Sequence, residues 1–203
     1  GTPHDFDNVD TTVLEVIKDN IVSVLKTVGH QKTIESIVRK DLFSGLYSEE
    51  YLYGEGRKII DQYTTSTICM YKIINLEEIN NKYCRELGNK VIERTSEYIK
   101  QNISTQYVYV RYMGPKFVIA FSGVELNGVA EFINELKEKL ENTIISLNEN
   151  NDEEEKSKKM EVCPKLNFTL STYYKGTGLE EVLKKQEEYL DNCDANESNI
   201  TNI

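Results

Sequence analysis

The stretch "VRYMGPKFVIAF", Val110 to Phe121, decides how the rest of the chain is interpreted. Apolar and β-branched residues on both sides of Gly114 and Pro115 predict two strands joined by a tight turn. A connection this short joins antiparallel neighbours, so the two strands should form a hairpin. The hairpin raises the question of whether its turn is only a bend or belongs to an active site.

The segments around the hairpin predict the remaining core elements. "TSTICMYKII" (65–74) and "KLNFTLSTYY" (165–174) are rich in β-branched and aromatic residues and predict buried strands. Apolar residues spaced three and four apart predict helices over 75–103, 126–148 and 179–194. The order β-α-β-β-α-β-α predicts an α+β fold of the ferredoxin-like type, with a central, mostly antiparallel sheet and helices on its faces.

A helical extension or linker over residues 1–40 is expected to precede a domain over residues 41–199. Apolar residues in the segment 13–28 recur with helical spacing, so one face of that helix is apolar. This face predicts either packing within its own domain or self-association. Residues 148–160 are charge-dense and predict a mobile acidic loop, and the Asn- and Ser-rich tail is expected to fray.

The composition of the 203-residue chain excludes several classes of partner and site. A net charge of −10 argues against nucleic acid as a partner and against direct membrane contact within this chain. The four cysteines form no C-x-x-C pair, so zinc-site spacing is absent and a reducing cytoplasm is expected. No signal peptide or membrane-spanning run is visible. The chain is interpreted as a cytoplasmic protein, or as the cytosolic part of a larger and perhaps membrane-anchored one.

Three separated motifs resemble one family. "DLFSGLY" (41–47) is similar to D-x-L-T-G-L, "INNKYCRELGNKVI" (79–92) to I-N-D-x-Y-G-H-x-x-G-D-x-V-L, and "VRYMGPKFVIAF" to A-R-Y-G-G-D-E-F. Together they resemble the GGDEF domain of bacterial diguanylate cyclases, which join two GTP molecules into cyclic di-GMP with the help of Mg²⁺. The resemblance implies the nucleotidyl-cyclase palm form of the ferredoxin-like fold.

The sequence departs from the family's pattern at the positions that bind the metal ions and approach the nucleotide. In the family the signature turn brings the backbone close to the nucleotide and offers acidic groups to the metal ions. Here that vestigial turn reads Met113, Gly114, Pro115, Lys116 and Phe117. On the first strand, Lys72 stands where the family has a metal-binding Asp, and Ile74 replaces a second Asp. An ammonium group cannot coordinate Mg²⁺, so no metal, no cofactor and no catalytic residue is expected.

Two further family sites are also altered. The family's product-binding R-x-x-D motif aligns with "STQY" (104–107), which keeps neither charge. Near the C-terminus, the phosphate-facing Lys and Arg of the family align with Asp194 and Ser198. The resemblance therefore implies the fold without the substrate contacts.

We expect a catalytically inactive, regulatory or protein-interaction module that acts on a protein partner or by self-association through helix 13–28. The alternative is a metal-independent nucleotide sensor, in which Lys72, Asn80 and Lys116 contact a nucleotide or another anion. Against it stands the interpretation that both lysine stems lie on apolar surface with their heads in water. A weakly active diguanylate cyclase is a minor alternative. A nucleic-acid polymerase palm would need paired carboxylates and is disfavoured.

Overall fold

The computed structural model describes residues 18, 20–24, 26, 40–148, 159–193 and 198–203. The chain divides into two compact units, residues 1–40 and residues 41–203. In the first unit the described residues are 18, 20–24 and 26, which are helical and exposed, and Lys40, which is exposed. The rest of the predicted helix 13–28 lies outside the described residues. No helix in the described ranges has both the length and the apolar character needed to cross a bilayer.

The second unit alternates strands and helices as the sequence predicts, with extra short strands. Its elements are β1 (Tyr47–Ser48), α1 (Glu49–Tyr51), a π-helical turn (Leu52–Gly56), α2 (Arg57–Ile60), β2 (Thr65–Ile73), α3 (Leu76–Lys82), α4 (Arg85–Asn102), β3 (Val108–Met113), β4 (Lys116–Ser122), α5 (Leu126–Glu141), β5 (Ile145–Asn148), β6 (Lys159–Val162), β7 (Leu166–Tyr174), α6 (Leu179–Asn192) and β8 (Ile200–Asn202).

Six of the strands form one mixed sheet in the order β1-β3-β4-β2-β7-β8. The four central strands pair antiparallel, whereas β1 and β8 add at the two edges in parallel. Strands β5 and β6 form a separate antiparallel pair. The predicted α+β palm fold, with a mostly antiparallel sheet, is confirmed.

Helices cover both faces of this sheet because the central strands are apolar on both sides. Odd-numbered residues of β2, such as Cys69 and Tyr71, pack with α3, α4 and α5. Even-numbered residues, such as Ile68 and Met70, pack with α6 and the helical segment 49–60. The Tyr71 hydroxyl lies 2.5 Å from that of Tyr109, so this buried polar pair is satisfied within the core.

The predicted helix over 75–103 is wrong in one respect, because the chain breaks it at Tyr83 and Cys84. A continuous helix would hold Asn80 and Gly88 about 12 Å apart along its axis. Instead the two residues touch, and a Cβ at Gly88 would lie 1.9 Å from Asn80 Oδ1. The break therefore folds α3 back on α4, and only glycine fits at residue 88.

The helix predicted over 126–148 ends early, at Glu141. The Asn142 amide and the Thr143 hydroxyl donate to the carbonyls of Glu138 and Lys139, which satisfies the end of the helix. Strand β5 then begins at Ile145. Most of the predicted acidic loop 148–160 lies outside the described residues, but both of its ends belong to the β5–β6 pair.

The expectation that the tail frays is wrong for residues 198–203. The Asn199 amide donates to the side chain of Asn167 at 2.7 Å, and the Ser198 hydroxyl donates to the Leu166 carbonyl at 2.8 Å. Residues 200–202 then pair with β7. The tail is thus held to β7 by side-chain bonds at Ser198 and Asn199 and by backbone pairing at residues 200–202.

Candidate functional site

The signature turn is a two-residue connection, Gly114 and Pro115, between β3 and β4. Gly114 has φ +55°, a left-handed conformation that favours glycine, so the sequence keeps the residue that the bend requires. The Pro115 carbonyl accepts a hydrogen bond from the Ile73 amide at 3.0 Å, which ties the turn to the end of β2. Met113 is exposed and Phe117 is buried, stacked on Tyr71.

An ion pair holds this turn to the start of the domain. Arg111 Nη1 donates to Asp41 Oδ2 at 2.8 Å, and Arg111 Nε donates to the Gly114 carbonyl at 3.0 Å. The other Asp41 oxygen accepts from the amide and the hydroxyl of Ser44. Burial would raise the pKa of Asp41, but its hydrogen bonds from Ser44 and Arg111 outweigh burial and lower the pKa. Asp41 and Arg111, which belong to the matching motifs, thus stabilise the position of the turn.

Lys72 and Lys116 lie directly opposite each other on the neighbouring strands β2 and β4. Lys116 Nζ donates to Glu187 Oε1 at 2.8 Å and to Asp191 Oδ2 at 2.6 Å. Lys72 Nζ donates to Asp191 Oδ1 at 3.2 Å. Glu187 and Asp191 are four residues apart on α6, so both carboxylates face the sheet together. We call these four side chains the lysine–carboxylate cluster.

Burial makes this cluster more than a surface ion pair. The Lys116 side chain is 8% exposed, while the side chains of Glu187 and Asp191 are 25% and 48% exposed. Burial lowers the pKa of Lys116, but hydrogen bonds to Asp191 and Glu187 outweigh it and raise the pKa. Although burial raises the pKa of Asp191, its bonds to the two lysines lower the pKa below the usual range. The interpretation that both lysine heads lie in water is wrong for Lys116.

The third residue of the predicted anion contact, Asn80, is placed elsewhere. It lies on α3, and its side-chain oxygen abuts Gly88 of α4. Helices α3 and α4 pack on the face of the sheet opposite α6. Among the described residues, the structure gives Asn80 no hydrogen bond to the lysine–carboxylate cluster. The predicted set is therefore brought together only at Lys72 and Lys116.

Two more groups border the cluster. The Tyr53 and Tyr112 hydroxyls lie 3.2 Å apart. Burial and the nearby Glu187 charge raise the pKa of Glu49. A further carboxyl group, that of Glu49 at the start of the helical segment 49–60, therefore lies near the lysine–carboxylate cluster.

The residues at this position do not fit the Mg²⁺ that the family implies. Mg²⁺ takes oxygen ligands, chiefly carboxylates with substrate phosphates. The two aligned strand positions present ammonium groups, and both helix carboxylates are engaged by them. No group of three or more Asp, Glu, His or Cys side chains gathers in a metal-binding arrangement within the described part of the chain.

The segment aligned with the family's product-binding motif lies beside an apolar cavity. Ser104 and Tyr107 precede β3, and they line a cavity of about 330 Å³ with Phe121 and Phe132. The Tyr107 ring lies 5.0 Å from the ring of Phe121. Segment 104–107 therefore contributes an aromatic contact where the family's motif has an Arg and an Asp.

Sequence reasoning missed Glu187 and Asp191 as members of the site. Both lie in the predicted last helix, more than 70 residues from Lys116. The signal that could have found them is two acids at helical i and i+4 spacing, in the segment aligned with the family's phosphate-facing motif.

Comparison with known proteins agrees with this architecture. The family described as "Diguanylate cyclase, GGDEF domain" matches residues 38–196. Uncharacterized protein y4lL of Sinorhizobium fredii (strain NBRC 101917 / NGR234) is 24% identical over 106 residues. That match covers 51% of this chain and only 13% of the relative, so the chain spans a small part of that protein.

Three solved structures show the same fold at low identity. The coiled coil and GGDEF domain of DgcB from Caulobacter crescentus, in complex with c-di-GMP, has a TM-score of 0.76 at 14% identity, covering 95% of this chain and 100% of that one. The FimX GGDEF domain from Pseudomonas aeruginosa has a TM-score of 0.67 at 11% identity, covering 81% and 99%. Diguanylate cyclase SiaD in complex with its activator SiaC, also from Pseudomonas aeruginosa, has a TM-score of 0.65 at 10% identity, covering 97% and 75%. With the family match over most of its length, the chain belongs to the GGDEF domain family of cyclic di-GMP signalling.

Proposed function

We propose that this GGDEF domain does not make cyclic di-GMP and instead regulates signalling by contact with a protein partner or a second copy of itself. The observation that carries the proposal is the lysine–carboxylate cluster. It places two ammonium groups where the family's pattern has metal-binding carboxylates, and it engages both with acids of α6.

The charge balance of the cluster supports the loss of catalysis. Phosphoryl transfer from GTP needs positive charge that neutralises the triphosphate and helps activate the attacking hydroxyl. The two ammonium groups here are balanced by two carboxylates, so the cluster offers no net positive charge. A triphosphate would also approach Glu187 and Asp191, which repel it. The same repulsion opposes a nucleotide sensor built on Lys72 and Lys116.

The leading segment supports action by contact. Ile21 and Val24, on the apolar stripe of the predicted helix 13–28, are 54% and 61% exposed. Among similar proteins, DgcB was solved with a coiled coil and SiaD with its activator protein. The four free cysteines support a reducing, cytoplasmic location.

Incubation of the 203-residue protein with GTP and Mg²⁺, followed by chromatographic detection of cyclic di-GMP, tests the loss of catalysis. Diguanylate cyclase SiaD serves as the positive control. We expect no product above the no-enzyme blank. Turnover that depends on protein concentration would contradict the proposal and would favour a weakly active cyclase.

Sedimentation analysis tests the contact function. If the protein self-associates through the leading helix, Ile21→Asp/Val24→Asp should shift it from dimer to monomer. The matched control, Asn20→Asp, adds a charge at another exposed position of the same helix. A dimer that survives the double substitution would exclude the leading helix as the interface.

A further inference from the structure

A cavity of about 370 Å³ lies on α4, on the opposite face of the sheet from the lysine–carboxylate cluster. It opens between α4, the C-terminal end of α5 and the start of β5, with Pro164 beside it. This volume is within the range of small-molecule sites in proteins. Neither the vestigial turn nor the segment aligned with the product-binding motif contributes to its lining.

One wall of the cavity is a polar stripe of α4. Lys90, Arg94, Tyr98 and Gln101 follow at spacings of four, four and three residues, so they lie along one side of the helix over about 16 Å. Lys90 forms no ion pair with any residue that the structure describes. Within the described ranges Arg94 pairs only with the exposed Glu97, at 3.2 Å, and such a pair contributes little. Although the protein is acidic, this cavity therefore carries two cationic side chains, Lys90 and Arg94, whose charges are at most weakly paired.

The cavity lining also includes a buried threonine whose hydroxyl group has no partner among the described residues. Thr95 is fully buried, and its Oγ1 has no hydrogen-bond partner among the described residues. Buried hydroxyl groups in native proteins are nearly always hydrogen-bonded, because leaving one unsatisfied is unfavourable. The Thr95 hydroxyl group is therefore available to donate to a ligand bound in the cavity.

The facing wall is apolar. It contains Leu140, Ile145 and Pro164, which are buried, and Ile144, which is exposed. A ligand that satisfies both walls has a flat apolar body and an anionic group at one end. The ring of Tyr98 can stack on such a body, and the Gln101 amide can bond to its polar edge.

We propose that this cavity binds an aromatic phosphate ester of mononucleotide size. Its phosphate lies on Lys90 and Arg94, its ring lies between Tyr98 and Ile144, and the Thr95 hydroxyl donates to it. The site is separate from the position where the family's pattern places its substrate.

Titration calorimetry with the whole 203-residue chain tests this proposal, with AMP, adenosine and inorganic phosphate as separate probes in EDTA. We expect AMP to bind with a submillimolar Kd and each fragment probe to bind at least about tenfold more weakly. Lys90→Gln/Arg94→Gln should weaken AMP binding at least about tenfold, because charge-assisted hydrogen bonds are lost. Lys100→Gln, an exposed charge on the same helix, should leave AMP binding unchanged.

Thr95→Val separates a binding role from a structural one. Without a ligand the substitution should leave the thermal midpoint unchanged or raise it, since an unsatisfied hydroxyl is removed. With AMP it should weaken binding several-fold. Absence of AMP binding, or AMP binding that survives both pocket variants, would overturn the proposal. AMP binding that is lost in Lys72→Gln and kept in Lys90→Gln/Arg94→Gln would place the nucleotide at the vestigial turn and would also overturn it.

Discussion

Replacing Lys116 with methionine should destabilise the domain, because it leaves two carboxylates of α6 facing an apolar side chain. Lys116 sits between Glu187 and Asp191 at 2.8 and 2.6 Å, and its own side chain is 8% exposed. Methionine keeps the length and the apolar stem of lysine, so the change removes the ammonium with little change in packing. Lys72 remains as the only cation of the lysine–carboxylate cluster.

The exposure of each partner sets the size of this effect. Removing one member of a fully buried ion pair costs about 3–5 kcal/mol. Here the side chains of Glu187 and Asp191 are 25% and 48% exposed. Water can therefore hydrate both carboxylates in part when the ammonium group is removed. Asp191 also keeps Lys72 at 3.2 Å. We therefore expect a loss of about 2 kcal/mol in the free energy of unfolding, or about 4–8 °C in Tm for a domain of this size.

Urea unfolding followed by circular dichroism measures this loss, and its pH dependence identifies its source. The pKa of Asp191 is lowered in the folded protein, so its stabilisation is present above its ordinary value of 3.8 and is lost as pH falls through the lower folded value. The pKa of Lys116 is raised, so its stabilisation is present below 10.5 and is lost as pH rises through the higher folded value. The difference between wild type and variant should be largest near neutral pH and should shrink below 3.8 and above 10.5.

Two further variants make the reasoning refutable. Lys184→Met removes an exposed cation of the same helix, 3.8 Å from Glu188, and should cost less than about 0.5 kcal/mol. Adding Glu187→Gln and Asp191→Asn to Lys116→Met removes the unpaired charges and should restore most of the lost stability. The reasoning fails if Lys116→Met behaves like the Lys184 control, or if the triple variant is less stable than Lys116→Met alone.

Three other predictions test elements that support the turn and the core. Asp41→Ala should cost about 2 kcal/mol in urea unfolding, since it leaves the largely buried Arg111 guanidinium without its carboxylate; Asp41→Asn should cost less. Gly114→Ala should cost about 1 kcal/mol from the left-handed φ of +55° alone, because no atom lies within 4 Å of the added methyl group. Tyr71→Phe should cost about 1–3 kcal/mol by leaving the Tyr109 hydroxyl buried and unpaired, and the double Phe variant should recover part of that loss in a double-mutant cycle.

The strands of the central sheet could be predicted because their signal is local. The β-branched and aromatic content of 65–74 and 165–174 matches β2 and β7, and the hairpin at Gly114 follows from its own turn residues. Whether these segments form strands or turns can be predicted without information from distant parts of the chain. The same local signal explains why the resemblance to the family could be found in short motifs.

The parts that sequence reasoning missed depend on contacts between distant residues. The break before α4 exists because Asn80 meets Gly88 after the chain has folded back, although the helical periodicity continues through it. Strand β8 follows a polar segment and is held by backbone pairing with β7, and Asn167 binds the amide of Asn199 directly before it. The partners of Lys116 lie 71 and 75 residues away, so no window along the chain contains both ends of the bond.

The register that sets Lys72 against Lys116 also bears on which substitutions the lysine–carboxylate cluster can accept. A single change of Lys116 to an acid would place a third carboxylate beside Glu187 and Asp191, where like charges repel. Changing only the acids of α6 would leave two lysines facing each other across adjacent strands without counter-charge. Each of these changes thus passes through a less stable protein, so the four side chains are expected to vary together rather than one at a time.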